Sequence, residues 1–278
     1  MIGTMPVMSP DQFGKLAKIV HNDTGIVLSA AKQGLLVARL TKRLRALNIA
    51  DFAAYCRYLD SDSGLAERQN LLSAITTNVT AFFREEHHFT ALARDVLPPL
   101  MARARAGGRV RLWSAACSTG EEPYSIAMTV LDAFPEAARH DLLILATDID
   151  PQVVAAAEGG VYTRDAITPI GAPRLRKYFD ETTTGFQVKP VISAIMRFGT
   201  LNLHQPWPFK GGFDVIFCRN VVIYFDSEMR RSLWQRFADG ITPGGTLFIG
   251  HSERVDGPAA PHFQISGATQ YRRTAAAH

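Results

Sequence analysis

Cysteine is scarce and unpaired in this sequence. Its three copies, Cys56, Cys117 and Cys218, are far apart and odd in number, and none belongs to a C-x-x-C pair. That excludes a disulfide framework and argues against a cysteine zinc site. Three small, buried, reduced side chains are expected. Long apolar runs are missing too: none approaches the roughly 20 residues of a membrane-spanning helix. Met1 to Pro10 shows no charged region followed by an apolar one, so no signal peptide and a cytoplasmic location are expected. The net charge is only +4, which gives no footprint for bulk nucleic-acid binding. Acidic residues are absent between Asp23 and Asp51, a stretch that carries Lys32, Arg39, Lys42, Arg43 and Arg45. Long-period repeats and low-complexity tracts are also lacking.

What is present is enough apolar matter, 47% of 278 residues, for a small domain joined to a larger one. Residues 11–75 read as helical. Ser29 is placed to cap a helix whose stripe is Leu36, Leu40, Leu44 and Leu47, with Arg39, Lys42 and Arg43 largely on the other side. A second helical stretch breaks near Ser61-Asp62-Ser63-Gly64 and resumes to Ile75. Residues 82–105 read as one further helix. Strands then alternate with helices: strands at 109–113, 142–146, 213–218 and 246–250, helices at 121–134, from Pro151, and at 227–240. That rhythm implies a mainly parallel sheet covered on both faces. Residues 160 to about 200 depart from it, with short strands at 160–162, 185–188 and 196–198 around a helix at 174–179, and read as an inserted β-subdomain. The tail from Thr274 to His278 is expected to be disordered.

Ligands of such sheets sit at the carboxyl ends of the strands. The first end runs Trp113-Ser114-Ala115-Ala116-Cys117-Ser118-Thr119-Gly120-Glu121-Glu122-Pro123-Tyr124. Its small side chains admit a cofactor close to the backbone, yet G-x-G-x-x-G is missing. Glu121 and Glu122 disfavour a pyrophosphate and suit a cationic cofactor. A tight turn with no ligand fits equally well. At the second end, Asp148 is placed to accept from two ribose hydroxyls, with Asp150 as a rival that could cap the next helix. The third end, Phe217-Cys218-Arg219-Asn220-Val221-Val222-Ile223-Tyr224-Phe225, puts a polar pair where burial demands partners, either in a site or as caps of the turn.

These three segments, together with Thr77-Asn78-Val79-Thr80-Ala81-Phe82-Phe83-Arg84, Glu86-His87-His88-Phe89 and Gly250-His251-Ser252-Glu253, closely resemble the chemotaxis receptor methyltransferases of the CheR type, over most of the chain. The resemblance implies a helical N-terminal receptor-docking domain over 1–80. It also implies a Rossmann-like methyltransferase domain over 81–278 with the inserted β-subdomain. The implied activity is S-adenosylmethionine-dependent methylation of glutamate carboxylates on chemoreceptors, leaving S-adenosylhomocysteine and using no metal. A non-catalytic module that senses the cofactor and binds receptors is the alternative.

Position by position, the resemblance implies that Asn78, Thr80 and Arg84 line the cofactor site, and that Glu122 meets the methionine end. Asp148 would hold the ribose, and Asn202 and Leu203 would flank the adenine. Arg219 and Asn220 would lie near the methionyl portion, with Tyr224 beside the transferred methyl. Arg84 and Tyr224 are the catalytic candidates: a guanidinium matches a carboxylate, and a phenol can hold the methyl or the carboxylate. A glutamate is ionised at neutral pH, so no general base is needed. Arg39, Lys42 and Arg43 could dock the acidic methylation helices of chemoreceptors, against the plainer reading of a solvated face. The short loop Asp180-Glu181-Thr182-Thr183-Thr184-Gly185 argues weakly against tethering a receptor tail peptide. Arg219-Asn220-Val221-Val222 stands where amino-methylating nucleic-acid enzymes carry N/D-P-P-Y, which disfavours RNA. His87 and His88 read as packing residues, because neighbours on a helix diverge. His251 reads as structural. A monomer without membrane insertion is expected.

Overall fold

The computed structural model describes residues 6–274. Contacts divide the chain into two units, residues 1–77 with 224–229, and residues 78–223 with 230–278. Of the tail, residues 275–278 lie outside the described range, as do residues 1–5. Thr274 is held, its N–H and hydroxyl both donating to the His262 carbonyl.

The first unit is helical: α1 (Pro10–Thr24), α2 (Gln33–Ala46), α3 (Phe52–Leu59) and α4 (Leu65–Ile75). Ser9 and Gln12 close a capping box on α1, Pro10 occupies its first turn, and Gly25 ends it at φ 74°. Ser29 makes no cap bond. It precedes a 3-10 turn, Ala30–Lys32, and α2 begins only after that. Leu36, Leu40 and Leu44 are buried as their spacing predicts, and Leu47 is half-buried. Gly64 is obligatory in the turn before α4, since a Cβ there would meet the Tyr58 carbonyl at 1.9 Å. Residues 224–229 complete the unit through Val27 N–H donating to Tyr224 O (2.8 Å) and an antiparallel bridge between Ile26 and Phe225.

In the second unit α5 (Glu86–Ala91) runs through a π turn, Leu92–Val96, into α6 (Leu97–Arg105). The single helix expected from residue 82 starts later and is interrupted. Pro98 and Pro99 supply no N–H to the turn before them, which favours the wider turn. Then follow β1 (Val110–Ala115), α7 (Glu121–Ala133), β2 (Leu142–Asp148), α8 (Pro151–Gly159), β3 (Val161–Tyr162), α9 (Arg164–Ile167), α10 (Ala172–Tyr178), β4 (Phe179–Thr182), β5 (Gly185–Val188), α11 (Pro190–Ser193), β6 (Met196–Thr200), β7 (Phe213–Cys218), α12 (Ser227–Gly240), β8 (Ile241–Ile249), β9 (Phe263–Gly267) and β10 (Gln270–Arg273).

The main sheet has the order β6-β2-β1-β7-β8-β10-β9. Its first five strands are parallel, and β10 and β9 add an antiparallel edge. That edge escaped the sequence reading because the two strands are short, polar and half exposed. The inserted sheet is smaller than expected, β3-β5-β4 alone. The strand at 196–200 belongs instead to the main sheet, in parallel register with β2 from Ile144↔Met196 to Asp148↔Thr200. After β1 the chain builds outward through β2 and β6, then crosses back to place β7 on the other side of β1. The switch between β1 and β7 opens a crevice at the carboxyl ends of the strands.

Within the helical unit the buried Glu67 of α4 accepts from Arg43 through both oxygens (2.9 and 2.6 Å), from the Tyr55 hydroxyl (3.0 Å) and from Asn70 (3.0 Å). Burial pushes its carboxyl up, but these donors outweigh burial and hold it below the ordinary range. Glu67→Ala strands a guanidinium and a phenol, so it should destabilise the protein by about 3 kcal/mol in urea unfolding. The folded carboxyl titrates below its unfolded value. Its stabilisation is therefore complete above pH ~4.3 and fades as pH falls further. The gap between wild type and variant should narrow accordingly in acid.

Candidate active site

The loop after β1 is bent by three left-handed residues, Ala116 (φ 66°), Ser118 (φ 50°) and Gly120 (φ 102°). Gly120 has no alternative, because a Cβ would lie 2.6 Å from the Tyr162 hydroxyl oxygen. Asp148, buried at the end of β2, locks this loop: it accepts from Ser118 N–H (2.9 Å) and Asp150 N–H (3.1 Å). Burial pushes the Asp148 carboxyl up, and the amides hold it back. Asp150 caps α8 by accepting from Gln152 N–H (2.9 Å), with Pro151 at the first position. The capping role that the sequence offered to Asp150 is thus filled. Asn202 and Leu203 follow β6 on the same sheet edge, where Leu201 N–H donates to Asp148 O (2.8 Å).

At the switch point stands a buried ionic chain. Glu122 on α7 accepts from the Ser114 hydroxyl (2.7 Å) and from Arg219 Nη1 (2.9 Å). Burial pushes the Glu122 carboxyl up, against the pull of Arg219. Arg219 Nη2 donates to the Arg84 carbonyl and lies 3.2 Å from Glu85 Oε2. Glu85 Oε1 accepts from His251 Nδ1 at 3.0 Å. Burial would raise the Glu85 carboxyl, but Arg219 and His251 hold it at about 2. Arg84 sits between two left-handed residues, Phe83 (φ 54°) and Glu85 (φ 57°). Phe83 N–H is pinned by Ser125 Oγ (2.9 Å), and Arg84 Nη1 donates to Val79 O (3.1 Å). Asn78 joins the same edge through its carbonyl, which accepts from Ser118 Oγ (3.2 Å).

The turn after β7 is organised by one carboxylate. Glu253 accepts from the amides of Asn220 (3.1 Å), Val221 (3.0 Å), Val222 (2.8 Å) and Gly250 (2.6 Å). Asn220 is left-handed at φ 60°. A Cβ on Gly250 would stand 2.5 Å from Asn220 Nδ2 and 2.8 Å from its N.

The model of the CheR methyltransferase SAM binding domain matches residues 78–272, and that of the CheR methyltransferase all-alpha domain matches residues 11–76. The chain belongs to the CheR methyltransferase family. It is 48% identical over 260 residues to the probable chemotaxis protein methyltransferase of Rhizobium etli, covering 92% of this chain and 97% of that one. To the chemotaxis protein methyltransferase of Klebsiella aerogenes it is 41% identical over 272 residues, 96% of this chain and 91% of the other. The Escherichia coli protein of that name is 38% identical over 269 residues, 95% and 91%. The Rossmann-like sheet and all-helical N-terminal part expected from the sequence are those of this family.

For a CheR methyltransferase, the second unit holds Asn78, Thr80, Arg84, Glu122, Asp148, Asn202, Leu203, Arg219 and Asn220. Its sheet edge fits a cationic cofactor: Glu121, Glu122 and Asp148 bring three carboxylates to the loop and to the start of α7. Tyr224 falls in the first unit, with Lys32 Nζ 4.6 Å from its ring centre. Two of the three docking candidates are engaged within their own unit. Arg43 is paired with Glu67, and Arg39 donates to the carbonyls of Ala74 (2.9 Å) and Thr76 (2.7 Å). Lys42 is exposed. The sequence reading passed over Ser114, Glu85 and Ser125 as partners. Glu253 had a signal in Gly250-His251-Ser252-Glu253, but nothing in the sequence showed that its carboxylate gathers four amides. Glu253→Gln turns an N–H2 group toward those donors and should lower stability by about 2 kcal/mol in urea unfolding. An unfolding midpoint equal to wild type would mean that the turn holds itself.

Proposed function

We propose that this CheR methyltransferase transfers the methyl group of S-adenosylmethionine to glutamate side chains of chemoreceptors, giving methyl esters. The observation that carries the reading is the acidic crevice at the β1/β7 switch, in a chain similar over most of its length to chemotaxis protein methyltransferases. When bound, the cofactor supplies an activated methyl on a cationic sulfonium. Asp148 would hold the ribose, with Asn202 and Leu203 flanking the adenine. Glu122, Arg219, Asn220, Asn78 and Thr80 would line the remainder.

The nucleophile in this reading belongs to the substrate. A glutamate carboxylate is ionised at neutral pH, so the protein has to align and desolvate it. Thiol chemistry is a poor rival here: burial pushes Cys117 and Cys218 well above the ordinary range. Arg84, whose guanidinium has five N–H donors, would orient the substrate carboxylate. Tyr224 would hold the methyl or the carboxylate through its hydroxyl. Docking on acidic receptor helices falls to the basic face of α2, with Lys42 as the exposed contact and Arg39 and Arg43 bracing α4 behind it. Supports for a cytoplasmic location are the absence among the described residues of any helix long and apolar enough to cross a membrane, and the receptor substrate itself.

Calorimetric titration with S-adenosylmethionine and S-adenosylhomocysteine should give saturable binding to wild type, weakened at least tenfold in Asp148→Ala. Incubation with receptor cytoplasmic fragments should yield base-labile methyl esters. Arg84→Ala and Tyr224→Phe should each lower turnover at least tenfold with the unfolding midpoint kept. Cofactor binding without ester formation on any receptor would replace the enzyme with a cofactor-sensing receptor-binding module. Lys42→Glu should slow receptor methylation and flatten its salt dependence; a rate and salt slope like wild type would move docking elsewhere.

A further inference from the structure

We propose that Glu85, His87 and His88, at the start of α5, form a binding site for a divalent transition metal, with Zn2+ best matched to the donors. A carboxylate oxygen and one ring nitrogen from each histidine all lie within 4.8 Å of one another. Sequence spacing had set the two histidines apart. In the structure their ring centres are 4.2 Å apart and tilted by 54°.

The tautomer of His88 follows from its neighbours. Thr269 Oγ1 gives its hydrogen to the Ala268 carbonyl (2.8 Å), so it accepts from His88 Nε2 at 2.7 Å. His88 Nδ1 therefore carries a lone pair. It is buried, has no hydrogen-bond partner, and faces Glu85 Oε2 at 3.4 Å. That oxygen also lacks a hydrogen-bond partner. Arg219 Nη2, which gives one hydrogen to the Arg84 carbonyl, forms an ion pair with Glu85 Oε2 at 3.2 Å. Arg219 offsets the charge of Glu85 but leaves the buried Nδ1 lone pair of His88 without a donor, and a cation between the two acceptors would satisfy it.

The arrangement has the marks of a metal centre. A histidine ligand typically gives its second N–H to an oxygen that fixes the ring, as His88 does to Thr269. One carboxylate and two imidazoles suit Zn2+ and leave a coordination position for water. Ligand atoms on tetrahedral zinc stand about 3.3 Å apart, so the cluster must contract. His87 is exposed and has room to turn. When Glu85 swings to the ion, Arg219 keeps its bond to Glu122 at 2.9 Å. Through Glu85 the site borders Arg219, which the proposed cofactor site also uses.

Titration of the full-length protein with Zn2+ alone, followed by calorimetry, tests it. One equivalent should bind, and Co2+ should give the visible absorption of a four-coordinate site. The exposed His87→Ala should weaken Zn2+ binding at least tenfold with an unchanged unfolding midpoint, and His88→Gln should abolish it. A wild-type protein that takes up no Zn2+, or a His87→Ala variant that binds as tightly as wild type, overturns the proposal. S-adenosylmethionine binding is titrated separately, so a failure of the metal site and a failure of the cofactor reading are told apart.

Discussion

Arg219 is the residue on which the crevice depends. Its side chain is 2% exposed, and an isolated guanidinium would be untenable there. Glu122 on α7, Glu85 ahead of α5 and the Arg84 carbonyl surround it. Two segments distant in sequence, Arg84-Glu85 and the start of α7, are thereby tied to the end of β7. Buried ion pairs add little net stability compared with a packed apolar core, because desolvation offsets attraction. Their benefit here is register: each partner has one position that satisfies the guanidinium.

Strain gathers at the same edge. Seven non-glycine residues have positive φ among the described residues, and five of them, Phe83, Glu85, Ala116, Ser118 and Asn220, flank the ends of β1 and β7. Such conformations cost of order 1–3 kcal/mol each and persist only where the surroundings fix them. Most of the five have an identifiable clamp. Ser125 holds Phe83, Arg219 and His251 hold Glu85, Asp148 holds Ser118, and Glu253 holds Asn220. The clamps on Glu85, Ser118 and Asn220 involve an ionised carboxylate, the stronger kind of hydrogen bond. The carboxylates thus brace the backbone that forms the crevice.

The sequence made the framework legible because period and punctuation agree with the fold in the parallel core. Buried runs such as Val215–Cys218 are apolar throughout, Pro151 opens α8, and Asp148 ends β2. The legible parts failed where tertiary pairing overrides local pattern. Met196–Thr200 looks like its neighbours in the insertion, yet it hydrogen-bonds to β2. β9 and β10 are half-exposed ribbons with little alternation. Of the candidate site, residue identities were readable from motifs, whereas their partners were not. Arg39 and Arg43 looked like free charges because Ala74, Thr76 and Glu67 lie a helix away in sequence. The Arg219 network spans 135 residues from Arg84 to Arg219, beyond any local pattern.

The electrostatics of the crevice divide into two opposed sets. Glu122 and Asp148 are pushed up by burial, so their share of stability is lost as pH rises through their folded values. Glu85 behaves the other way: held at about 2, it contributes stability above its unfolded value, and loses it as pH falls toward 2. Burial thus opposes the charge on both Glu122 and Asp148, and at Glu122 the adjacent Arg219 offsets part of that cost. A cation arriving in the crevice meets charge already desolvated, and its attraction is stronger there than at a wet surface. Stability given up at Glu122 and Asp148 is the physical counterpart of affinity for a positively charged ligand.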